Sequence, residues 1–347
     1  MRVLFLAVFS GAALSAQSQL ASDLNDQGLA AANQGDYARA EVLYGEAIEK
    51  WRGLGSPYDA HTASTLVNLG QSLCNEGKWR ESTDVFEEAL ALYRRSLGSK
   101  HQRTVYNLSL MGHAYLFAGN LEGAQAALAE ALATERELFA GDAVVEHTLL
   151  GMSLLRRRQG NLEEALQLGE ECLDTALKTL GEINANTGMA YENVAAIHRI
   201  AGQPARALPL FRKARFIYER TAGAESQVYA LLLSEEGLAL LDDGEISLAE
   251  KDLSQAVEAL AKFGPRSTFH LAVAQSNLGL LRLRQRKFAE AERLLTHALS
   301  LEEQLPSRPT ADMAATMGVL AELRKAQRRN AESAQLRARA AELRADR

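Results

Sequence analysis

Residues 62–98, TASTLVNLGQSLCNEGKWRESTDVFEEALALYRRSLG, decide the fold. Apolar residues recur at three and four through both halves, the period of an amphipathic helix. Gly77 divides the halves, where a residue in the left-handed conformation ends a first helix near Thr62 to Asn75. Trp79 opens a second helix, with Phe86 one face-repeat later, and Leu97-Gly98 stops it. The stretch reads as helix, glycine turn, helix.

Outward from Gly70, the same pattern recurs along the chain. Gly28, Gly70, Gly112, Ser153, Ala195, Gly237, Gly279 and Ala321 are spaced by 42 residues, once by 41, and all are small. Seven residues after each come Gly35, Gly77, Gly119, Gly160, Gly202 and Gly244, then Arg286 and Arg328. Two more columns hold only Ala, Ser or Cys, among them Ala40, Ser82 and Ala124, then Ala47, Ala89 and Cys172. A fixed period of this kind marks a solenoid of stacked units. The units fall near 20–58, 62–100, 104–142, 145–183, 187–225, 228–266, 270–308 and 310–347. Breaks between them fall at Leu54-Gly55, Leu97-Gly98, Gly141, Leu180-Gly181, Gly223, Phe263-Gly264-Pro265 and Leu305-Pro306.

The small columns have a mechanical cause. Paired helices approach at about 8–10 Å, and Gly or Ala at the crossing lets them sit close. Tyr44, Phe86, Leu128, Phe211, Leu253 and Leu295 are expected to be buried by neighbouring units. No unit buries its own apolar face, so stacking supplies the core and stability becomes nearly a nearest-neighbour sum. The fourth unit departs from the pattern: Ser153, Gly169 and Cys172 stand where Gly, a large apolar residue and Ala are usual. Gly inside a helix costs about 0.5–1 kcal/mol against Ala, so this unit is expected to be the softest joint. In the eighth unit Arg328, Ser333 and Arg337 occupy positions buried elsewhere, as in a terminal cap with a wet outer face.

The pattern resembles the tetratricopeptide repeat: small at the eighth position, Gly at the fifteenth, aromatic at the seventeenth (Tyr37, Trp79, Phe288), Ala at the twentieth and twenty-seventh. The usual unit is 34 residues. At about 42, with Asn68-Leu69-Gly70, Asn277-Leu278-Gly279 and Ala207-Leu208-Pro209-Leu210-Phe211, this chain is similar to the kinesin-light-chain type of repeat. The resemblance implies an all-α solenoid of about eight antiparallel helix pairs forming a right-handed superhelix. It also implies a concave groove, lined by a stripe of the first helices, that holds an extended peptide or a partner's helix.

Carried onto this sequence, that stripe includes Asn68, Gln71 and Asn75 in the second unit and Tyr106, His113 and Phe117 in the third. It continues with Arg157 and Arg158 in the fourth and Asn193 and Arg199 in the fifth. Amides donate and accept, so Asn68, Asn75 and Asn193 suit a peptide backbone. Tyr106 and Phe117 offer an aromatic wall, and the arginines suit an acidic group on the partner. The competing readings are inter-unit core for Tyr106 and Phe117, and a solvated basic helix end for Arg156-Arg157-Arg158.

The 347 residues are 47% hydrophobic and 24% charged, ordinary for a globular chain. The net charge of −6 argues against a nucleic-acid partner. From Arg324 onward eight basic and three acidic residues give a local +5, read as a solubilising cap. Residues 1–16 read as a secretory signal: Arg2, the apolar run Val3 to Leu14, then Ser15 and Ala16, with cleavage after Ala16 or, with Ala13 at −3, after Ser15; the competing reading is an apolar helix capping the fold. Export to a periplasmic or extracellular space follows; if this segment is not a signal, the chain is cytoplasmic. The run is too short to span a membrane, and no integral membrane segment is expected in the mature chain.

No enzymatic or metal-ligand pattern is present. Gly70 to Gly77-Lys78 lacks phosphate-loop spacing, and Gly151-Met152-Ser153 lacks the second Gly of a nucleophile elbow. The acidic pairs Glu87-Glu88, Glu163-Glu164 and Glu302-Glu303 are expected on solvated helix faces. Cys74 and Cys172, two units apart, are too distant to bridge. The expectation is a scaffold with no cofactor and no catalysis. The alternative is an assembly subunit of an envelope complex that uses its outer face and ends.

Overall fold

The computed structural model describes residues 2–138, 144–305 and 310–345. The breaks read at Gly141 and Pro306, and Arg347, lie outside the described residues. The chain divides into two compact units, Met1–Ala140 and Gly141–Arg347.

The N-terminal unit holds three helix pairs: α1 (Arg2–Asn33) with α2 (Tyr37–Leu54), α3 (Asp59–Asn75) with α4 (Trp79–Ser96), and α5 (Gln102–Ala118) with α6 (Leu121–Leu138). The C-terminal unit holds five: α7 (Val144–Arg158) with α8 (Leu162–Thr179), α9 (Ala185–Ile200) with α10 (Pro204–Thr221), α11 (Gln227–Asp242) with α12 (Ile246–Lys262), α13 (Thr268–Arg284) with α14 (Phe288–Glu303), and α15 (Thr310–Ala326) with α16 (Asn330–Ala345). The protein is all-α, a solenoid-type repeat of helix pairs. Helix α3 starts three residues before the expected Thr62, and α1 runs unbroken from Arg2 through Ala16 into the first unit.

The turns follow from single residues. Gly77 has φ +78°, and the N–H of Lys78 donates to the Leu73 carbonyl at 2.9 Å, which caps α3. The expected irregular copies keep this conformation without glycine: Arg286 and Arg328 sit at φ 62° and 61°. Left-handed backbone at a residue with a Cβ costs on the order of 1–3 kcal/mol, so these two turns store strain.

The small column is filled within each pair. A methyl placed on Gly70 would lie 2.6 Å from Cε1 of Phe86, and one on Gly112 would lie 2.5 Å from Cγ of Leu128. On Gly237 it would lie 2.7 Å from Cγ of Leu253. The large side chains that neighbouring units were expected to bury therefore seat first on the small residue sixteen positions earlier, on the partner helix. All are sealed from solvent; Phe86, Leu128, Phe211, Leu253 and Leu295 are at 0% exposure. Neighbouring pairs complete the core, as where Phe86 clusters with Leu108 and Met111 of α5.

The fourth pair inverts this arrangement. Gly169 leaves room on α8, and Asn193 of α9 fills it: a methyl on Gly169 would lie 3.3 Å from Asn193 Nδ2. Asn193 Nδ2 donates to Ser153 Oγ at 2.7 Å, and Ser153 Oγ donates to the Ala165 carbonyl at 2.7 Å. The joint read as softest is a hydrogen-bonded plug supplied by the next pair. Cys172 packs beside it at 0% exposure, and burial pushes its thiol pKa up.

Two charged positions differ from expectation. Glu302 is not on a solvated face: it is fully buried, and Thr316 Oγ1 donates to it at 3.2 Å. Burial raises its carboxyl to about 8. Arg324, read as part of a solubilising cap, is 8% exposed and ties α15 to α14 and α16, pairing with Glu292 at 2.8 Å and Glu332 at 3.3 Å. Arg282 makes the equivalent clasp one pair earlier, with Glu250 at 2.6 Å and Glu290 at 2.9 Å. No helix of the described residues is long and apolar enough to cross a membrane.

Candidate partner-binding face

Within the C-terminal unit the first helices crowd together. α7 meets α9, α9 meets α11, α11 meets α13, and α13 meets α15, while the second helices make no comparable approach to one another. The first helices therefore form the inner, tightly wound layer and the second helices the outer one. In the N-terminal unit α1, α3 and α5 follow the same rule.

A stripe that the core leaves open runs along this inner layer. On α11 it is the half-buried Leu231, Glu235 and Leu238, ending on the exposed Asp242; on α13 it is the half-buried Val273, Asn277 and Leu280, ending on the exposed Arg284. The steps of three and four keep one face of the helix open, and the columns between them enter the core. Half of the stripe is apolar: Leu231, Leu238, Val273 and Leu280. Its floor across α7, α9 and α11 is charged.

That floor is built from Arg157 on α7, Glu192 and Arg199 on α9, and Glu235 and Asp242 on α11. Arg199 is half-buried and shared by Glu235 and Asp242, 3.4 Å from each. Glu192 accepts from Tyr218 Oη of α10 at 2.8 Å. Desolvation, reinforced by the Glu235 charge, lifts the Glu192 carboxyl to about 7 despite the Tyr218 hydrogen bond and the Arg157 charge. Arg157 donates from Nη1 to Asn193 Oδ1 at 3.4 Å. Desolvation holds its guanidinium below the usual arginine value.

The sequence-derived candidates take different places. Arg157 and Arg199 lie on the floor, and Arg158 is exposed at the end of α7. Arg156, its neighbour in the basic run, turns away to pair with Glu164 at 2.7 Å. Asn193 lies beneath the floor at 4% exposure, its amide engaged by Ser153 and Arg157. In the N-terminal unit, Asn68 donates to Asn25 Oδ1 of α1 at 3.0 Å, the same bond between adjacent first helices that Asn277 makes to Ser234. Gln71 and His113 are half-buried on the same layer and Asn75 is exposed. Tyr106 is 37% and Phe117 40% exposed; Phe117 stacks on Trp79 of α4, centroids 4.8 Å apart. Cys74 is half-buried and its thiol is raised to about 11 by burial, which removes it as a reactive thiolate at neutral pH.

Neither Glu192 nor Glu235 was assigned a role from the sequence. The signal was available only in part: both are acids on a first helix, but in adjacent columns, Glu192 aligning with Ser234 and Glu235 with Asn193 across the 42-residue step. Among the described residues no group of His, Cys, Asp and Glu is arranged to hold a metal ion.

The repeat geometry and the family comparison agree. Tetratricopeptide repeat models match residues 61–137, 144–220 and 274–309, more than half of the sequence, and the chain belongs to the tetratricopeptide repeat family. Among solved structures it is similar to a Rap protein complexed with competence and sporulation factor, at 13% identity and TM-score 0.67 over 95% of this chain and 98% of that one. It is similar to the Rap conjugation gene regulator of plasmid pLS20 in complex with the Phr* peptide, at 15% identity and TM-score 0.64 over 80% and 72%. It is also similar to BtubC from P. vanneervenii, at 18% identity and TM-score 0.51 over 66% and 90%. At these identities the likeness establishes the fold. No curated protein matches the sequence significantly.

Proposed function

We propose that the protein is a non-catalytic scaffold that holds an extended peptide or a helical partner along the inner layer of first helices. The carrying observation is the stripe itself. Leu231, Leu238, Val273 and Leu280 stay half-open on an inner face while the columns between them are buried. An apolar inner face punctuated by a few fixed polar groups suits a segment that buries side chains and is oriented by charge. That two similar folds are complexes, one with the Phr* peptide and one with competence and sporulation factor, supports this reading.

We further propose that the chain is exported, on the strength of Arg2, the apolar run to Leu14 and the small Ser15-Ala16 pair. The mature protein is expected to begin at Gln17. An exported chain that still carries Met1 overturns the cleavage.

Partner capture from the exporting cell's envelope fraction tests the scaffold. The double substitution Leu238→Arg with Leu280→Arg is expected to abolish capture while the helical circular dichroism signal stays intact. Capture that survives it moves the interaction to the outer face or the ends of the array.

A further inference from the structure

The floor of the C-terminal unit holds two groups in unusual states. The first is Arg157. Among the described residues its guanidinium has one hydrogen bond, to Asn193 Oδ1 at 3.4 Å, and no carboxylate within ion-pairing distance. A guanidinium presents five N–H donors, so most of its capacity is unspent. The second is Glu192, half-buried one helix away, with Tyr218 donating to one of its oxygens. Of the other charges of the floor, Glu235 and Asp242 share Arg199.

Resting on the groove reading above, we propose that this floor takes a peptide carboxylate, from an acidic side chain or a C-terminus, together with one proton carried by Glu192. The ligand's carboxylate accepts from Arg157 on one side. On the other it accepts from the Glu192 carboxyl, which must be protonated to donate. With Glu192 ionised, the incoming anion meets a like charge that no ion pair among the described residues compensates, whereas Glu235 is paired with Arg199. With Glu192 neutral, that repulsion is removed and a donor is added.

The environment of Glu192 favours this state. The groups facing it are Arg157 from α7, Tyr218 from α10 and Glu235 from α11, with Arg199 on its own helix. No ionisable group of α8 is among those acting on it. Its carboxyl titrates near 7, whereas a peptide carboxylate stays ionised from pH 6 to 8. Requiring the protonated form therefore makes capture about tenfold tighter at pH 6 than at pH 8.

Isothermal titration at pH 6, 7 and 8 in two buffers of different ionisation enthalpy tests the coupling on the full chain. The probes are N-acetyl tetraglutamate amide for the side-chain source, N-acetyl tetraalanine acid for the C-terminal source, and N-acetyl tetraalanine amide as the neutral control. At least one acidic probe is expected to bind with proton uptake and about tenfold gain between pH 8 and pH 6, and the neutral probe not to show the gain. Glu192→Gln is expected to bind that probe equally at both pH values. Arg157→Gln is expected to weaken it at both.

Affinity that rises with pH, a pH slope that survives Glu192→Gln, or the absence of binding by both acidic probes overturns the proposal. Equal binding of the neutral probe overturns it too, while leaving the groove reading intact. The groove reading itself falls only if partner capture survives Leu238→Arg with Leu280→Arg.

Discussion

The second and fourth helix pairs solve the same packing problem in opposite ways. In the second, a glycine on the first helix receives an aromatic ring from its own partner, Gly70 against Phe86, and the joint is dry. In the fourth, the glycine is on the second helix, Gly169, and the filling comes from the next pair as the amide of Asn193. One repeat geometry accepts either an apolar plug or a hydrogen-bonded one, provided the volume is filled and the polar atoms are paired. The choice has a consequence for the inner face. Asn193 Oδ1 also receives Arg157, so the polar plug anchors the charged floor beside it.

The largest expected effect breaks the dry joint. Phe86→Ala empties a fully buried ring and is expected to cost about 3–5 kcal/mol, read as a fall in the chemical-denaturation midpoint. A loss below 1 kcal/mol means that the neighbouring pair, not the Gly70 seat, holds the second pair together.

A middle effect comes from forcing the fourth pair into the pattern of the others. Gly169→Leu is expected to cost about 1–3 kcal/mol, because its side chain must displace Asn193, Ser153 and Val194. Adding Ser153→Gly and Asn193→Ser is expected to recover most of that loss. Failure of this rescue, with thermal melting as the measure, shows that the two joints are not interchangeable.

The smallest effect compares turns. Arg286→Gly removes a Cβ from a left-handed residue at φ 62° and is expected to stabilise by about 1 kcal/mol. The converse change, Gly244→Ala at φ 86°, is expected to destabilise by a similar amount. Equal melting temperatures for Arg286→Gly and the parent chain refute the strain assigned to that turn.

The regular joints were legible in the sequence because a packing column repeats: a small residue every 42 positions, with a large one sixteen later, exposes itself by recurrence. The inverted joint broke that recurrence at Ser153 and Gly169, so its irregularity was legible and its filling by Asn193 was not. Nothing in one position reveals that Asn193 enters a vacancy on α8. The candidate site divides in the same way. Arg157 and Arg199 were placed on the groove stripe by the resemblance to the repeat family. The pairing of Arg199 with Glu235 and Asp242, and the isolation of Arg157, depend on how α7, α9 and α11 lie against one another.

By itself the sequence determined the helices, their turns and their pairing. These follow from local backbone preference and the period of apolar and small residues, and both are written in neighbouring positions. Only the tertiary structure decided which charges are buried, matched or left open. Glu302 inside the core, Glu192 titrating near 7 and Arg157 without a carboxylate all arise between helices, from residues 14 to 43 positions apart, where solvation and Coulomb energy depend on distance in space and not along the chain.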